Sequence, residues 1–161
     1  MERVFIGLGG NQGDSLATLK RAAQQIVALP NTTQLAVSHF YQSPAWGGVE
    51  QADFINAVLE IRTQLTPQEL LEQLLDIERQ HGRNRELELH WGPRVLDCDI
   101  LLFGQRVFHS ESLSIPHPRM AQRAFVLVPL AEIDASLPVP GFGSVQSLLN
   151  DLSECTIQRI E

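Results

Sequence analysis

The stretch Leu96-Asp97-Cys98-Asp99-Ile100 places two carboxylates at alternate positions inside an otherwise apolar run. The run is short and ends at a glycine, which is typical of a β-strand. Because successive side chains of a strand point to opposite faces, the two aspartates are predicted on one face and the three apolar residues on the other. The strand is therefore expected to have one buried face and one face that carries two neighbouring negative charges.

The aspartate pair requires a positive partner, because like charges side by side repel each other and Asp is a poor strand residue. One interpretation is a divalent metal, since Mg²⁺ prefers hard oxygen ligands on a rigid element and phosphates can complete its coordination. The other is a solvated face whose carboxylates pair with nearby arginines. The spacing of Asp97 and Asp99 leaves both interpretations open.

An arginine-rich segment precedes the aspartates, although the chain as a whole is acidic, with a net charge of −7. Gly82 is expected to end a helix and Pro93 disfavours a new one, so a loop is predicted between them. Arg83, Arg85 and Arg94 lie on or beside this loop, and the planar fork of arginine suits bidentate phosphate binding. The combination predicts a site for a polyphosphate bound as its metal salt, unless the arginines merely neutralise the carboxylates.

Composition narrows the class of protein. A chain of 161 residues with 43% apolar residues predicts a single folded domain, residues 1–161. The negative charge argues against broad binding of nucleic acid, and the few aromatic residues argue against a stacking platform for single strands. No apolar stretch approaches membrane-spanning length and the chain starts with a predicted strand, so neither a membrane span nor a signal peptide is expected. Cys98 and Cys155 match no metal spacing, and a cytoplasmic protein is expected.

Strands and helices alternate along the chain without a linker or a repeat. Their order, β-α-β-β-α-β with further pieces behind, predicts an α+β, ferredoxin-like split βαβ fold. Such a fold has a mostly antiparallel sheet, with helices packed chiefly on one face and a wet opposite face. The predicted strands are 4–9, 33–43, 53–63, 95–103, a short one at Val107, and 156–160; the predicted helices are 15–29, 67–82 with Thr66 as N-cap, 119–130 with Pro129 as a candidate break, and 145–152.

A glycine-rich stretch, 7–13, follows the first predicted strand and precedes a helix, as a phosphate-binding loop would. It lacks Gly-Lys-Ser/Thr, and Gln12 stands where the G-x-G-x-x-G pattern requires a glycine. We interpret it as a tight strand-to-helix turn in which Asp14 or Ser15 caps the helix.

Residues 53–63 alternate in polarity, which predicts Ile55 and Ala57 on one face of a strand and Phe54 and Asn56 on the other. Asn56 could bind the ring amide of a ligand or cap a neighbouring loop. Taken alone, an Asn in a strand is more often structural.

The stretch from Trp91 to Leu101, WGPRVLDCDIL, resembles the signature of the hydroxymethyl-dihydropterin pyrophosphokinase family of folate synthesis. The resemblance spans essentially the whole chain, and several motifs fall in the expected order. The matching motifs are Gly9-Gly10-Asn11, Tyr41-Gln42-Ser43-Pro44, Asp53-Phe54-Ile55-Asn56-Ala57, Gly82-Arg83-Asn84-Arg85, Pro116-His117 and Arg123-x-Phe125.

This resemblance implies transfer of pyrophosphate from ATP to the hydroxymethyl oxygen of the pterin, with release of AMP. It implies two Mg²⁺ ions held by Asp97 and Asp99, and catalytic roles for these aspartates together with Arg83 and Arg94. The implied ATP-binding residues are Glu78, Arg83, Arg94, Ile100, Ser112, His117 and Arg123. The implied pterin-binding residues are Ser43, Pro44, Ala45, Phe54, Asn56, Trp91 and Phe125, with the two phenylalanines on either side of the ring.

The chain departs from the family pattern at a few positions. The loop from Arg85 to Trp91 is one residue longer than in the best-known members, which makes the roles of these two residues less secure. Ser112 stands where some members carry an ATP-binding Arg, Pro118 replaces an aromatic residue, and Leu75 replaces a polar contact to the nucleotide. We therefore expect the affinity for ATP to differ from that of other members.

The enzyme is expected to be a monomer whose partners are ATP and the pterin, without nucleic-acid or membrane partners. Two other classes of protein remain as alternatives to it. A small effector-binding module is one, because split βαβ domains often bind ligands without chemistry. A metal-dependent phosphohydrolase or nuclease is the other. It would need a base that activates water, or a more basic surface.

Overall fold

One antiparallel sheet organises the fold. The computed structural model describes residues 2–44, 51–83, 94–152 and 156–161. The helices of this part of the chain are α1 (Ser15–Val27), α2 (Pro67–Gln80), α3 (Ala124–Asp134) and α4 (Val145–Asn150), and a 3₁₀ turn at Met120–Gln122 precedes α3. The strands are β1 (Glu2–Gly10), β2 (Thr32–Val37), β3 (Tyr41–Ser43), β4 (Phe54–Thr63), β5 (Asp97–Phe103), β6 (Phe108–His109), β7 (Ser114–Ile115), β8 (Pro138–Val139), β9 (Gly143–Ser144) and β10 (Gln158–Arg159).

The main sheet has six strands, and its pairings are antiparallel. The strand order is β10-β3-β4-β1-β5, and β2 pairs with the second half of β4. This sheet with its helices confirms the predicted α+β class. Two small hairpins, β6 with β7 and β8 with β9, lie outside the sheet, and the sequence pattern indicates only the first strand of the first. None of the helices in the described ranges is long and apolar enough to cross a membrane.

The predicted strand 33–43 is wrong as a single element, because the structure contains β2 and β3 with Ser38 between them. The Ser38 N–H donates to the Val58 carbonyl oxygen (2.9 Å), and the Ser38 hydroxyl accepts a bond from the Val58 N–H (2.9 Å). A side chain thus takes a place that a backbone carbonyl has in a regular ladder, and the strand is interrupted. Hydrophobic periodicity does not report such a change of partner.

Helices α1 and α2 cover one face of the sheet, the helix face, which is closed by apolar side chains. Leu19 of α1 and Leu74 of α2 are fully buried against it. Helix α2 begins as its sequence predicts, because the Glu69 N–H donates to Thr66 Oγ1 (3.1 Å) and the Thr66 N–H donates to Glu69 Oε1 (2.9 Å). The strand residues that point to the helix face are Val4, Ile6, Leu8, Ala57, Leu59, Ile61, Cys98, Ile100 and Phe103.

The opposite face of the sheet, the cavity face, has a covered end and an open end. Helices α3 and α4 pack over Phe5, Val58 and Leu101 to form a second apolar core. The expectation of a wet face is therefore wrong for the covered end. Helix α3 also continues through Pro129 to Asp134 instead of ending at residue 130, since its packing on the sheet offsets the hydrogen bond that proline removes.

Glu132 ties α3 to the edge of the sheet. Its carboxylate accepts bonds from the His39 N–H (3.1 and 3.0 Å) and the Tyr41 hydroxyl (2.5 Å), and it lies 2.7 Å from His39 Nδ1. Burial, followed by the bond to this carboxylate, raises the pKa of Tyr41 to about 12. The Tyr41 hydroxyl therefore stays protonated and remains a donor to Glu132 at neutral pH.

Candidate active site

Strand β5 presents its two aspartates on the open end of the cavity face. Cys98 and Ile100 are buried on the helix face, whereas Asp97 and Asp99 are partly exposed, so the predicted alternation is confirmed. Gly9 and Gly7 of β1 lie opposite Asp97 and Asp99, respectively. Because neither glycine has a side chain, β1 itself places no side-chain atoms beside the two carboxylates.

A cavity of about 300 Å³ opens over this end of the sheet. The described residues around it belong to two chemical groups: charged and amide side chains that suit phosphates, and aromatic and small polar side chains that suit a flat heterocycle. They come from β1, β3, β4, β5, the segment just before β5, the segment that enters α3 and the first turn of α3. The lining residues are Gly9, Ser43, Phe54, Asn56, Arg94, Asp97, Arg119, Gln122, Arg123 and Phe125.

Behind Asp97 lies a buried chain of charges. Arg83 Nη1 is 2.8 Å from Asp97 Oδ1 and 3.2 Å from Glu78 Oε2, and it donates to the Leu96 carbonyl oxygen (3.2 Å). Glu78 also accepts a bond from the Cys98 N–H (2.8 Å) and is only 1% exposed. Arg83 thus pairs with carboxylates, which is the second of the two interpretations of the arginine-rich segment. Arg83 and Glu78 fix Asp97 from below and do not line the cavity.

Cys98 is held neutral by the same surroundings. Burial, followed by the charge of Glu78, raises the pKa of its thiol well above the ordinary value. The thiol therefore packs as a small core side chain, as its position on the apolar face of the strand predicts.

The segment before α3 brings a cationic cluster to the aspartates. Burial lowers the pKa of Arg123, while the charges of Asp99 and Asp97 act in the opposite direction. His117 has its pKa lowered to about 4, first by burial and then by the charge of Arg123. Its Nδ1 accepts a bond from the Arg119 N–H (3.2 Å), so the proton of the neutral ring is assigned to Nε2.

Phe54, Phe125 and Asn56 also line the cavity. Asn56 is 9% exposed; its Nδ2 lies at the limit of hydrogen-bond distance from the Leu8 carbonyl oxygen (3.4 Å), and its Oδ1 is buried without a partner among the described residues. The Arg123 guanidinium lies 5.4 Å from the centre of the Phe125 ring. A buried acceptor without a donor is costly in the free protein, and it indicates a place for a ligand N–H.

The glycine-rich stretch 7–13 forms the predicted strand-to-helix turn only in part. Strand β1 continues through Gly10, so only the last residues form the predicted turn, and Asp14 rather than Ser15 is the N-cap of α1, through a bond from the Ala17 N–H (3.2 Å). A Cβ added at Gly9 would lie 2.5 Å from Asn56 Nδ2. Gly9 is thus required by the close approach of a cavity side chain.

Several residues implied by the resemblance lie away from the cavity lining. Ile100 is buried on the helix face, and Ser112 is exposed in the connection between β6 and β7. Pro44 is exposed and lines a shallower depression beside Asp53 and the segment before β10. Ala45, Arg85 and Trp91 lie outside the described residues. Asp99 and His117 stand next to the lining, as their influence on Arg123 and the effect of Arg123 on His117 indicate.

Arg119 and Gln122 line the cavity but were not identified as functional from the sequence. A signal was present, because Arg119 and Arg123 are four residues apart in a segment predicted as helical, a spacing that places side chains together. Taken alone, this pair was indistinguishable from a solvated helix face.

The described part of the chain contains no cluster of three or more His, Cys, Asp or Glu side chains that could hold a metal ion by itself. Asp97 and Asp99 supply two carboxylates. A cation at this position would therefore need oxygen atoms from a substrate or from water to complete its coordination.

Comparison with known proteins gives a consistent result. Residues 5–135 match the family model described as 7,8-dihydro-6-hydroxymethylpterin-pyrophosphokinase (HPPK). A protein of Methylorubrum extorquens named 2-amino-4-hydroxy-6-hydroxymethyldihydropteridine pyrophosphokinase is 43% identical over 161 residues, with 100% of each chain covered. A protein of the same name from Haemophilus influenzae is 39% identical over 154 residues and covers 96% of this chain and 95% of its own.

Solved structures share the fold at low sequence identity. Plasmodium falciparum HPPK-DHPS wild type with pteroate superposes with a TM-score of 0.71 at 13% identity, over 92% of this chain and 42% of that one. The same protein with SDX-DHP gives a TM-score of 0.68 at 13% identity, over 93% and 43%. The present chain thus spans less than half the length of these solved chains. At this identity the similarity concerns the fold, and it confirms the ferredoxin-like α+β architecture.

Proposed function

The chain belongs to the 7,8-dihydro-6-hydroxymethylpterin-pyrophosphokinase family, and from that premise we propose that it transfers pyrophosphate from ATP to the hydroxymethyl group of hydroxymethyl-dihydropterin, releasing AMP, in folate biosynthesis. One observation carries the proposal beyond family membership. A single cavity joins the Asp97 carboxylate and guanidinium groups, which suit a metal-bound triphosphate, to aromatic rings and an amide oxygen that has no partner among the described residues, which suit a pterin.

The pterin is proposed to bind between Phe54 and Phe125. Flat aromatic faces suit a flat heterocycle, and the ring edge of a pterin carries N–H donors. Asn56 Oδ1 is the buried acceptor that such a donor would satisfy. Ser43 completes this side at the end of β3, with its neighbours Pro44 and Ala45 assigned only by the family resemblance.

The triphosphate is proposed to lie against Arg94, Arg119 and Arg123, which line the same cavity. Attack of a hydroxyl on the β-phosphorus needs little covalent help from protein side chains; it needs alignment and neutralised charge. Guanidinium groups in a partly buried cavity supply both, because their attraction to phosphate is stronger away from bulk water. His117, neutral at pH 7, would contribute its Nε2–H as a hydrogen-bond donor to ATP.

Asp97 and Asp99 are proposed to hold magnesium, with two ions expected when ATP is bound. The donor set fits, because two hard carboxylate ligands share one face of a rigid strand. Bound magnesium would offset the charge of the phosphoryl oxygens. The protein's own contribution is to hold these carboxylates in place, and Arg83 does so by engaging Asp97 Oδ1.

A product assay tests the proposal. The chain is incubated with ATP, Mg²⁺ and reduced hydroxymethylpterin, and nucleotide products are separated by chromatography. AMP that appears only when pterin and metal are both present supports the transferase. Release of ADP, or release of AMP without pterin, indicates a phosphohydrolase instead, and ligand binding without turnover indicates a binding module.

A further inference from the structure

Asn11 lies at the junction of three chain segments that surround the cavity, and the mechanism above gives it no role. It follows β1 directly and is 7% exposed. Its backbone N–H donates to the Arg94 carbonyl oxygen (2.9 Å), and its Oδ1 accepts a bond from the Arg94 N–H (2.8 Å). Its Nδ2 donates to Gln51 Oε1 (2.8 Å) and to the Ala52 carbonyl oxygen (2.8 Å).

These contacts are directional. The amide nitrogen of Asn11 has two hydrogens, and both are used toward Gln51 and Ala52, while the amide oxygen is used toward Arg94. A rotated amide would place its nitrogen against the Arg94 N–H and its oxygen against the Ala52 carbonyl. The side chain therefore joins a donor, the Arg94 N–H, to two acceptors at Gln51 and Ala52, and only an amide has the acceptor and the donors that match both.

The two joined segments lead to different lining residues of the cavity. Arg94 itself lines the cavity, and Ala52 precedes by two residues Phe54, which also lines it. Gly10 allows the approach, because a Cβ there would lie 2.5 Å from the Val95 carbonyl oxygen. The close contact between the end of β1 and the segment of Arg94 is therefore built into the backbone.

We propose that Asn11 is a positioning residue that holds two lining residues of the cavity, Arg94 and Phe54, at a fixed separation. The inference rests on the proposed function, which assigns Arg94 to ATP and Phe54 to the pterin. In-line transfer between two substrates requires their reacting atoms to be aligned, and small errors of alignment lower the rate steeply. One buried side chain that bonds both segments meets this requirement.

Asn11→Asp separates the bond that the Asn11 side chain accepts from Arg94 from the two bonds that it donates to Gln51 and Ala52. Aspartate keeps an oxygen that can accept the Arg94 N–H, but it cannot donate to Gln51 or Ala52, and its charge repels their oxygens. We expect the KM for the pterin to rise about tenfold while the KM for ATP changes less than about twofold. Asn11→Ala removes the accepted bond and the donated bonds alike, and we expect both KM values to rise about tenfold together with a lower kcat.

Thr63→Val is the matched control for loss of buried hydrogen bonds. Thr63 lies at the far end of β4, where its hydroxyl bonds Thr32 Oγ1 (2.8 Å) and the Leu65 N–H (3.1 Å). The substitution Thr63→Val should lower the thermal midpoint of unfolding without changing the KM for ATP or the KM for the pterin. Equal changes of both KM values in Asn11→Asp, or changes no larger than those in Thr63→Val, would overturn the proposal.

Hydrogen–deuterium exchange tests Asn11 independently of turnover. In Asn11→Asp we expect faster exchange at residues 51–54 and unchanged exchange at 94–97, whereas Asn11→Ala should accelerate both. Unchanged exchange at 51–54 in Asn11→Asp would refute the positioning role. If the wild-type chain makes no AMP, the proposed function fails, while the exchange pattern still decides the role of Asn11.

Discussion

The two faces of the central sheet are made by the same strands but carry opposite kinds of residues. On the helix face, β1 contributes aliphatic side chains that are at most 1% exposed. On the open end of the cavity face, the same strand contributes Gly7 and Gly9, beside Asp99 and Asp97. On the helix face the side chains of β1 fill the core, whereas on the cavity face side chains of the neighbouring strands approach its glycines: Asn56 at Gly9 and Leu101 at Gly7. The difference shows that glycine beside the carboxylates allows this close approach, at the expense of apolar burial by β1 itself.

The comparison also separates stability from chemistry. Large buried residues of the helix face contribute to the free energy of folding and do not reach the cavity. Residues of the open end bury little apolar surface, and Asn56 even keeps a buried oxygen without a described partner. Substitutions on the two faces should therefore change different measured quantities.

The largest effect is expected from Asp99→Asn. Removing one of the two carboxylates proposed to bind magnesium should lower kcat by about a thousandfold, because charge on the phosphates is then poorly neutralised. The thermal midpoint should stay close to that of the wild type, since Asp99 is partly exposed. Turnover within about tenfold of the wild type at saturating Mg²⁺ would contradict the metal-binding role.

Leu74→Ala should produce the converse result on the helix face. The side chain is fully buried between α2 and the sheet, and its truncation should lower the free energy of unfolding by about 3 kcal/mol. Urea denaturation measures this loss. The KM values below the unfolding transition should remain those of the wild type, and a selective change in one of them would show that the two faces are not independent.

Gly9→Ala should have a smaller, selective effect on the pterin side. The added Cβ would lie 2.5 Å from Asn56 Nδ2, so the amide must move, and we expect the KM for the pterin to rise about tenfold. Gly7→Ala is the matched control on the same strand and face. The atoms nearest to its Cβ would belong to the Leu101 side chain, at an ordinary contact distance of 3.4 Å or more. Similar KM values for both variants would show that Asn56 is not what Gly9 accommodates.

The last expected effect depends on pH and concerns His117. Its pKa of about 4 in the folded chain lies below the ordinary value of 6.5, so between these values the unfolded state binds more protons than the folded state. The stabilising contribution of neutral His117 is complete above pH 6.5 and is lost as the pH falls through about 4. Unfolding free energies of the wild type and of His117→Gln, measured from pH 7 to 4.5, should converge on acidification. A constant difference would argue against burial of the neutral ring.

Period-two patterns predicted the parts of the site that lie on regular strands. The alternation around Asp97 and Asp99, and that of residues 53–63, correctly assigned residues to the two faces. The capping box at Thr66 and Glu69 likewise depends on neighbours within one helical turn. Such features are local, because residues that are close together in the sequence determine them.

Other features depend on partners far along the chain. Ser38 interrupts a strand by bonding Val58, Glu132 reaches the edge of the sheet at His39 and Tyr41, and Arg83 turns toward Glu78 beneath β5. Arg119 enters the cavity through the packing of the segment before α3. No periodicity reports these pairings, because each depends on which distant segment the folded chain brings within hydrogen-bond distance.

The sequence by itself determined the α+β class, the face of β5 that carries the carboxylates, and the family to which the chain belongs. Only the tertiary structure decided that α3 covers half of the second face, that Arg83 supports Asp97 from below, and that Asn11 joins the segments of Arg94 and Ala52. Local patterns fix which side chains are available and on which face they stand. Burial and hydrogen bonding between distant segments then decide which of them meet, because these interactions exist only after the chain has folded.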